Sequence, residues 1–184
     1  MMPRPRQLWP RFANSTRGIA AVEFAMVLPV LAVIFLASID GGRAIAIYMK
    51  VRAATYTIAA ITNQYSIIHD ADAQGNLGVT SKVLAPYSTA TGTLAITISQ
   101  IAIDINGNAT IVWSDTQGGT ARAQGAPMTV PTSLKVPGSF LVFGEVNYNY
   151  QPLFGYFGNN TTINLSDNLY TTPRISPSIT RVSP

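Results

Sequence analysis

From Ile19 to Ile39 the chain is apolar at almost every one of 21 positions. A helix rises about 1.5 Å per residue, so this run matches the ~30 Å hydrocarbon core of a bilayer and predicts a transmembrane helix over residues 19–40. The run carries one ionisable residue and one proline. Glu23 lies near the start and Pro29 near the middle. A carboxylate in lipid is costly without a partner, which marks Glu23 as a functional position; the plainer reading is a residue at headgroup depth. Pro29 removes one helical hydrogen bond and predicts a kink, which membrane helices tolerate.

Beyond Gly41-Gly42, apolar residues recur at Ala44, Ile47, Tyr48, Val51, Ala54, Ile58, Ile61, Tyr65 and Ile68. Spacing of three and four predicts an amphipathic helix within residues 41–68, continuing from the membrane to about Tyr65. A separate soluble helix after a hinge at the glycines is the alternative. His69-Asp70-Ala71-Asp72 with Gly75-Asn76 reads as a polar break, and Thr80-Ser81 as the cap of a short helix through Tyr87.

From Leu94 the period shortens to two. Leu94, Ile96 and Ile98 are followed, after a slip near Ser99-Gln100 that suggests a bulge, by Ile101, Ile103 and Ile105. Asn106-Gly107 signals a hairpin, with Ala109–Ser114 returning. Residues 115–138 are loop-like, with one short helical turn near Ser133–Lys135. Residues 139–150 carry apolar side chains on both faces early in the run, as a central strand would. Thr161–Leu165 predicts a short strand, and the tail from Thr171, with three prolines, reads as extended chain. Residues 69–184 therefore read as a β-rich domain. The fold class is α+β, a long N-terminal helix continuing into a small antiparallel sheet.

Charge adds topology. Arg4, Arg6, Arg11 and Arg17 precede Ile19 with no acid among them, and the rest of the chain is formally neutral. Positive residues beside a span stay in the cytoplasm, so residues 1–18 read as a cytoplasmic basic leader and the body faces outward. A pI near 9.6 is thereby explained without a nucleic-acid partner. An ordinary secretory signal fits poorly, because its apolar core is shorter and the small residues of its cleavage site are missing. Cysteine is absent and charged residues are only 11%, which suits an exported surface that packs against other subunits.

Candidate chemistry is sparse. His69 with Asp70 and Asp72 reads as a solvated turn and not as a metal site. Asp104 to Asp115 has the length of a calcium loop, but Ala109 stands where the loop needs glycine, and the flanks are strand-like. Glu145 and Tyr148 lack a nucleophile to work with. No catalytic residue, metal or cofactor is predicted.

The residues around the start of the span resemble the class III signal of type IV pilins. There a basic leader ends in glycine, and glutamate is the fifth residue of the segment that follows. Gly18-Ile19-Ala20-Ala21-Val22-Glu23-Phe24 has that form. Together with Asp40-Gly41-Gly42-Arg43 it is similar to the TadE/TadG-like pseudopilins of the tight-adherence (Flp) pilus machinery, most strongly over residues 17–65. The resemblance implies cutting between Gly18 and Ile19 by a prepilin peptidase and an assembly role for Glu23 and Phe24. It also implies a pilin-like fold in the bacterial inner membrane, with the outer domain periplasmic. Partners would be membrane lipid, the peptidase, other pilins or pseudopilins and the assembly platform. Glu23-Phe24 in place of the Glu-Tyr of major Flp pilins points to a minor subunit. The competing identity is an uncleaved bitopic protein with an outer binding domain.

Overall fold

The structure, a computed structural model, describes residues 17–154 and 162–182. The chain divides into two compact units, Met1–Gly42 and Arg43–Pro184. Helix α1 is Arg17–Thr62 and supplies the described part of the first unit and the start of the second.

In the first unit α1 buries almost nothing. Its apolar side chains, from Ile19 and Val22 through Phe35 and Ile39, are exposed on every side. The helical assignment is continuous through Pro29. Ser38, the hydroxyl within the run, donates to the Ile34 carbonyl at 2.8 Å, which satisfies it inside its own helix.

In the second unit, strand β1 (Ile67–His69) precedes helix α2 (Asp70–Lys82). Strands β2 (Leu94–Ile103), β3 (Ala109–Gln117), β4 (Phe140–Tyr150) and β5 (Ile163–Thr171) form an antiparallel sheet in the order β3-β2-β4-β5. A short β6 (Thr180–Val182) pairs in parallel with β1. Fold class is therefore α+β, and β4 is interior to the sheet as its two-faced apolar pattern predicts.

Two cores occupy opposite faces of the sheet. On one face Ile47, Val51, Ala54 and Ile58 of α1 pack with Ile96, Ile98, Val142 and Val146. Gly144 lies under this helix. A Cβ there would sit 3.2 Å from Ile58 Cγ2, so glycine lets helix and sheet approach. On the other face Ile101, Ile103, Ile111, Leu141 and Phe143 pack beneath Val130 and Met128. The switch needs Trp113 and Ile111 to point to opposite faces although they are two residues apart. The register shift between Gln100 and Ile101 accomplishes it, with Gln100 opposite Trp113 and Ile101 opposite Ile111, leaving Val112 as the extra residue. The slip read near Ser99-Gln100 is thus real, but the inserted residue is on the partner strand. Ile58 is completely buried, so Ile58→Ala should cost about 2–5 kcal/mol in urea unfolding of the outer domain. An unchanged midpoint would remove this helical stretch from the core.

Several expected boundaries differ. The helix after the glycines ends at Thr62, and Ile68 of its apparent stripe is a strand residue facing the core. The predicted polar break is helix α2. Its buried stripe is Ala73, Asn76, Leu77 and Thr80, half of it polar, so apolar periodicity is muted. Thr80 donates to the Asn76 carbonyl at 2.7 Å, which makes its burial tolerable. Asp70 and Asp72 occupy the first turn and Lys82 the last, the favourable sense for the helix dipole. Thr80-Ser81 consequently end this helix instead of starting one. Strand β5 runs to Thr171, well past Leu165, and β6 interrupts the extended tail.

The C-terminal segment is held through Gln100, a nearly fully buried polar residue in β2. Its Oε1 accepts from Trp113 Nε1 and from the Ile179 amide, each at 3.0 Å. Trp113 Nε1 also donates to the Ile179 carbonyl at 3.1 Å. Arg181 then reaches Asp115 of β3 at 2.8 Å and Asp70 of α2 at 2.6 Å.

Candidate functional site

The residues singled out for function lie on the uncovered part of α1. Gly18 is in its first turn, where a Cβ would meet no atom within 4 Å. Packing among the described residues therefore gives no reason for glycine there. Ile19 and Phe24 are about 60% exposed, and Glu23 is likewise exposed to its surroundings. Ile19 and Glu23 are four residues apart in one helix, so they lie one above the other on the same face. Phe24 is displaced from Glu23 by about 100° around the axis. Pro29 has no amide hydrogen, which leaves the Ala25 carbonyl without its usual helical donor. Arg4, Arg6 and Arg11 of the leader fall outside the described residues.

A helix this long, apolar all round and buried by nothing in its own unit, is built for lipid. It is the described helix long and apolar enough to cross a membrane.

In the outer unit the other candidate groups are committed to structure. Asp104 accepts from the amides of Asn106 and Asn108 and from the Asn108 side chain at 2.7–2.8 Å. These bonds, the Asn108 side chain first, hold its carboxyl below the usual range. The turn carries Gly107 at φ 81°, the left-handed conformation such a hairpin needs. Glu145 pairs with Arg122 and accepts from Asn147. Burial pushes the Glu145 carboxyl up, but the hydrogen bonds from Arg122 and Asn147 and the Arg122 charge outweigh it, so the net direction is down. Tyr148 belongs to the opposite face of β4, in the core against α1. His69 precedes α2 and its amide donates to Asp72 at 3.1 Å. Among the described residues no group of three His, Cys, Asp or Glu could hold a metal.

Sequence reasoning missed the Gln100, Asp115 and Arg181 cluster. A lone glutamine between apolar strand residues was the available signal. The C-terminal partners of Gln100 and Asp115 lie 79 and 66 positions away.

An uncovered apolar helix leading into a small α+β unit defines a membrane-anchored protein. Residues 18–60 are similar to the family model described as TadE-like protein. The match begins at Gly18 and ends within α1, before the sheet. No curated protein and no solved structure matches the chain significantly.

Proposed function

We propose that this chain is a minor pseudopilin-type structural subunit of a Tad pilus assembly system. It inserts with its basic leader in the cytoplasm and is cut by prepilin peptidase between Gly18 and Ile19. The observation that carries this reading is Gly18 itself. It opens the matched segment, precedes Glu23 by five residues, and among the described residues meets nothing that would exclude a side chain. A peptidase needs access to an extended backbone, and the smallest residue offers it.

Hydrolysis of the Gly18–Ile19 bond would create a free amine on Ile19, one helical turn from the Glu23 carboxylate. The two charges attract strongly in a low dielectric, whereas each alone in lipid is unfavourable. The pair suits a subunit that must enter a bundle of like helices in one axial register. Phe24 would pack beside it, and Pro29 would let the helix adjust. The outer domain then faces the periplasm as a low-charge packing surface.

Mass spectrometry of protein from the native host should show a chain beginning at Ile19. Gly18→Leu should leave the leader attached. An intact Met1 in wild-type protein would instead establish an uncleaved bitopic membrane protein.

A further inference from the structure

Arg43 opens the second unit, and beside it lies a cavity of about 450 Å³ lined by Arg43, Tyr87, Ser88, Tyr148, Tyr150 and Thr162, among others. Among the described residues no Asp or Glu lines it. Its polar side-chain groups include the Arg43 guanidinium and the Tyr87, Ser88 and Tyr148 hydroxyls, all able to donate. Tyr148 is only 5% exposed. Its hydroxyl makes no hydrogen bond to any described residue, although the side chain borders the cavity. Arg43 makes no salt bridge or hydrogen bond among the described residues either. Hydroxyl donors beside the exposed Arg43 guanidinium, with no carboxylate among the described lining residues, suit an oxyanion.

The chain position supplies the source of that anion. A helix entering lipid at Ile19 needs about 20 residues to cross it, which brings it to the vicinity of Ile39. Arg43 follows about one turn later, at headgroup depth, where tyrosines also concentrate. Asp40, one turn before Arg43, is the nearest carboxylate in sequence; from Arg43 to His69 the chain has Arg43, Lys50 and Arg52 and no acid. Lys50 is already engaged, donating to the Val83 carbonyl at 3.2 Å.

We propose that this cavity binds the phosphate of an anionic phospholipid headgroup, held by Arg43 and the Tyr148 hydroxyl. Guanidinium N–H groups and a phenol O–H converging on phosphate oxygens form charge-assisted hydrogen bonds. Burial raises the Tyr148 pKa, the neighbouring Tyr87 adds to this and Arg43 opposes it, so the phenol stays a donor at neutral pH. A bound headgroup would fix the depth at which the outer unit meets the membrane. The proposal depends on membrane anchoring and not on cleavage at Gly18, so the two are tested separately.

The test uses the full chain in mild detergent, with lipid retention read by native mass spectrometry. Wild-type protein should retain phosphatidylglycerol in preference to phosphatidylethanolamine. Arg43→Gln should lower that retention about tenfold, the usual consequence of losing one charge-assisted hydrogen bond. Tyr148→Phe keeps the packed ring and removes the hydroxyl; it should lower retention several-fold and reads the site even if Arg43→Gln fails to fold. Arg52→Gln, an exposed cation outside the cavity lining, should change nothing. Equal loss with Arg52→Gln would overturn the proposal in favour of diffuse attraction. So would unchanged retention in Tyr148→Phe, or displacement of the lipid by equimolar inorganic phosphate.

Discussion

Arg181→Ala is expected to destabilise the outer domain by about 3 kcal/mol, most strongly at neutral pH. Arg181 and Asp115 have side chains only 16% and 13% exposed, and their bond joins the C-terminal strand to the sheet. Removing one partner of such a pair leaves the other as a poorly solvated charge, which is where most of the cost arises. Asp70, 43% exposed, is solvated enough that its contact adds little. The pH dependence follows from Asp115. Burial pushes its carboxyl above the ordinary value of 3.8 against the pull of Arg181, and without Arg181 it rises further. A carboxyl raised in the folded state favours folding fully below its unfolded value. That contribution disappears as pH climbs through the folded value. The deficit of Arg181→Ala should therefore be widest near pH 7 and narrow on acidification toward about pH 4. Adding Asp115→Asn should recover much of it at neutral pH. Near-UV circular dichroism during thermal unfolding measures this directly. A pH-independent deficit that Asp115→Asn leaves untouched would show that lost packing of the Arg181 stem is responsible.

On the proposed pilus-subunit reading, Glu23→Gln should leave membrane insertion intact and impair incorporation into the pilus machinery. The substitution preserves size and hydrogen bonding and removes the charge, so it separates anchoring from assembly. If the chain is cut after Gly18 as proposed, an ammonium on Ile19 and the carboxylate of Glu23 would offset each other's desolvation, within one helix or between an entering subunit and its neighbour. A neutral amide at this position cannot do so. Buried polar pairs act best as register devices, and a helix apolar on every side has few other features to set axial position. Membrane fractionation reads insertion; co-purification with the assembly platform and piliation read assembly. Normal piliation by the Glu23→Gln variant would make Glu23 a tolerated interfacial residue.

The membrane segment was legible from residues alone because its determinants are local. Length and apolar content need no tertiary contact to predict the helix that the structure has there. The hairpin at Asn106-Gly107 was legible for the same reason, since a positive φ at Gly107 is a property of one residue. Helix α2 was not. Its core-facing stripe includes Asn76 and Thr80: the Thr80 hydroxyl bonds the Asn76 main-chain carbonyl, while the Asn76 side-chain nitrogen is buried with no partner among the described residues. Strands β1 and β6 are three residues each and persist only as a pair, so neither carries a pattern of its own. Gln100 shows the division most sharply. One polar residue in an apolar strand is ordinary in sequence, yet its carbonyl joins Trp113 and Ile179, which are 66 positions apart. The same holds for Arg43 and Tyr148, separated by most of the outer domain along the chain and brought to one cavity by the fold. Periodicity and motif determine elements whose stability is local. Which polar side chains share a buried site is decided by long-range packing, because the cost of burial depends on partners that lie far away in sequence.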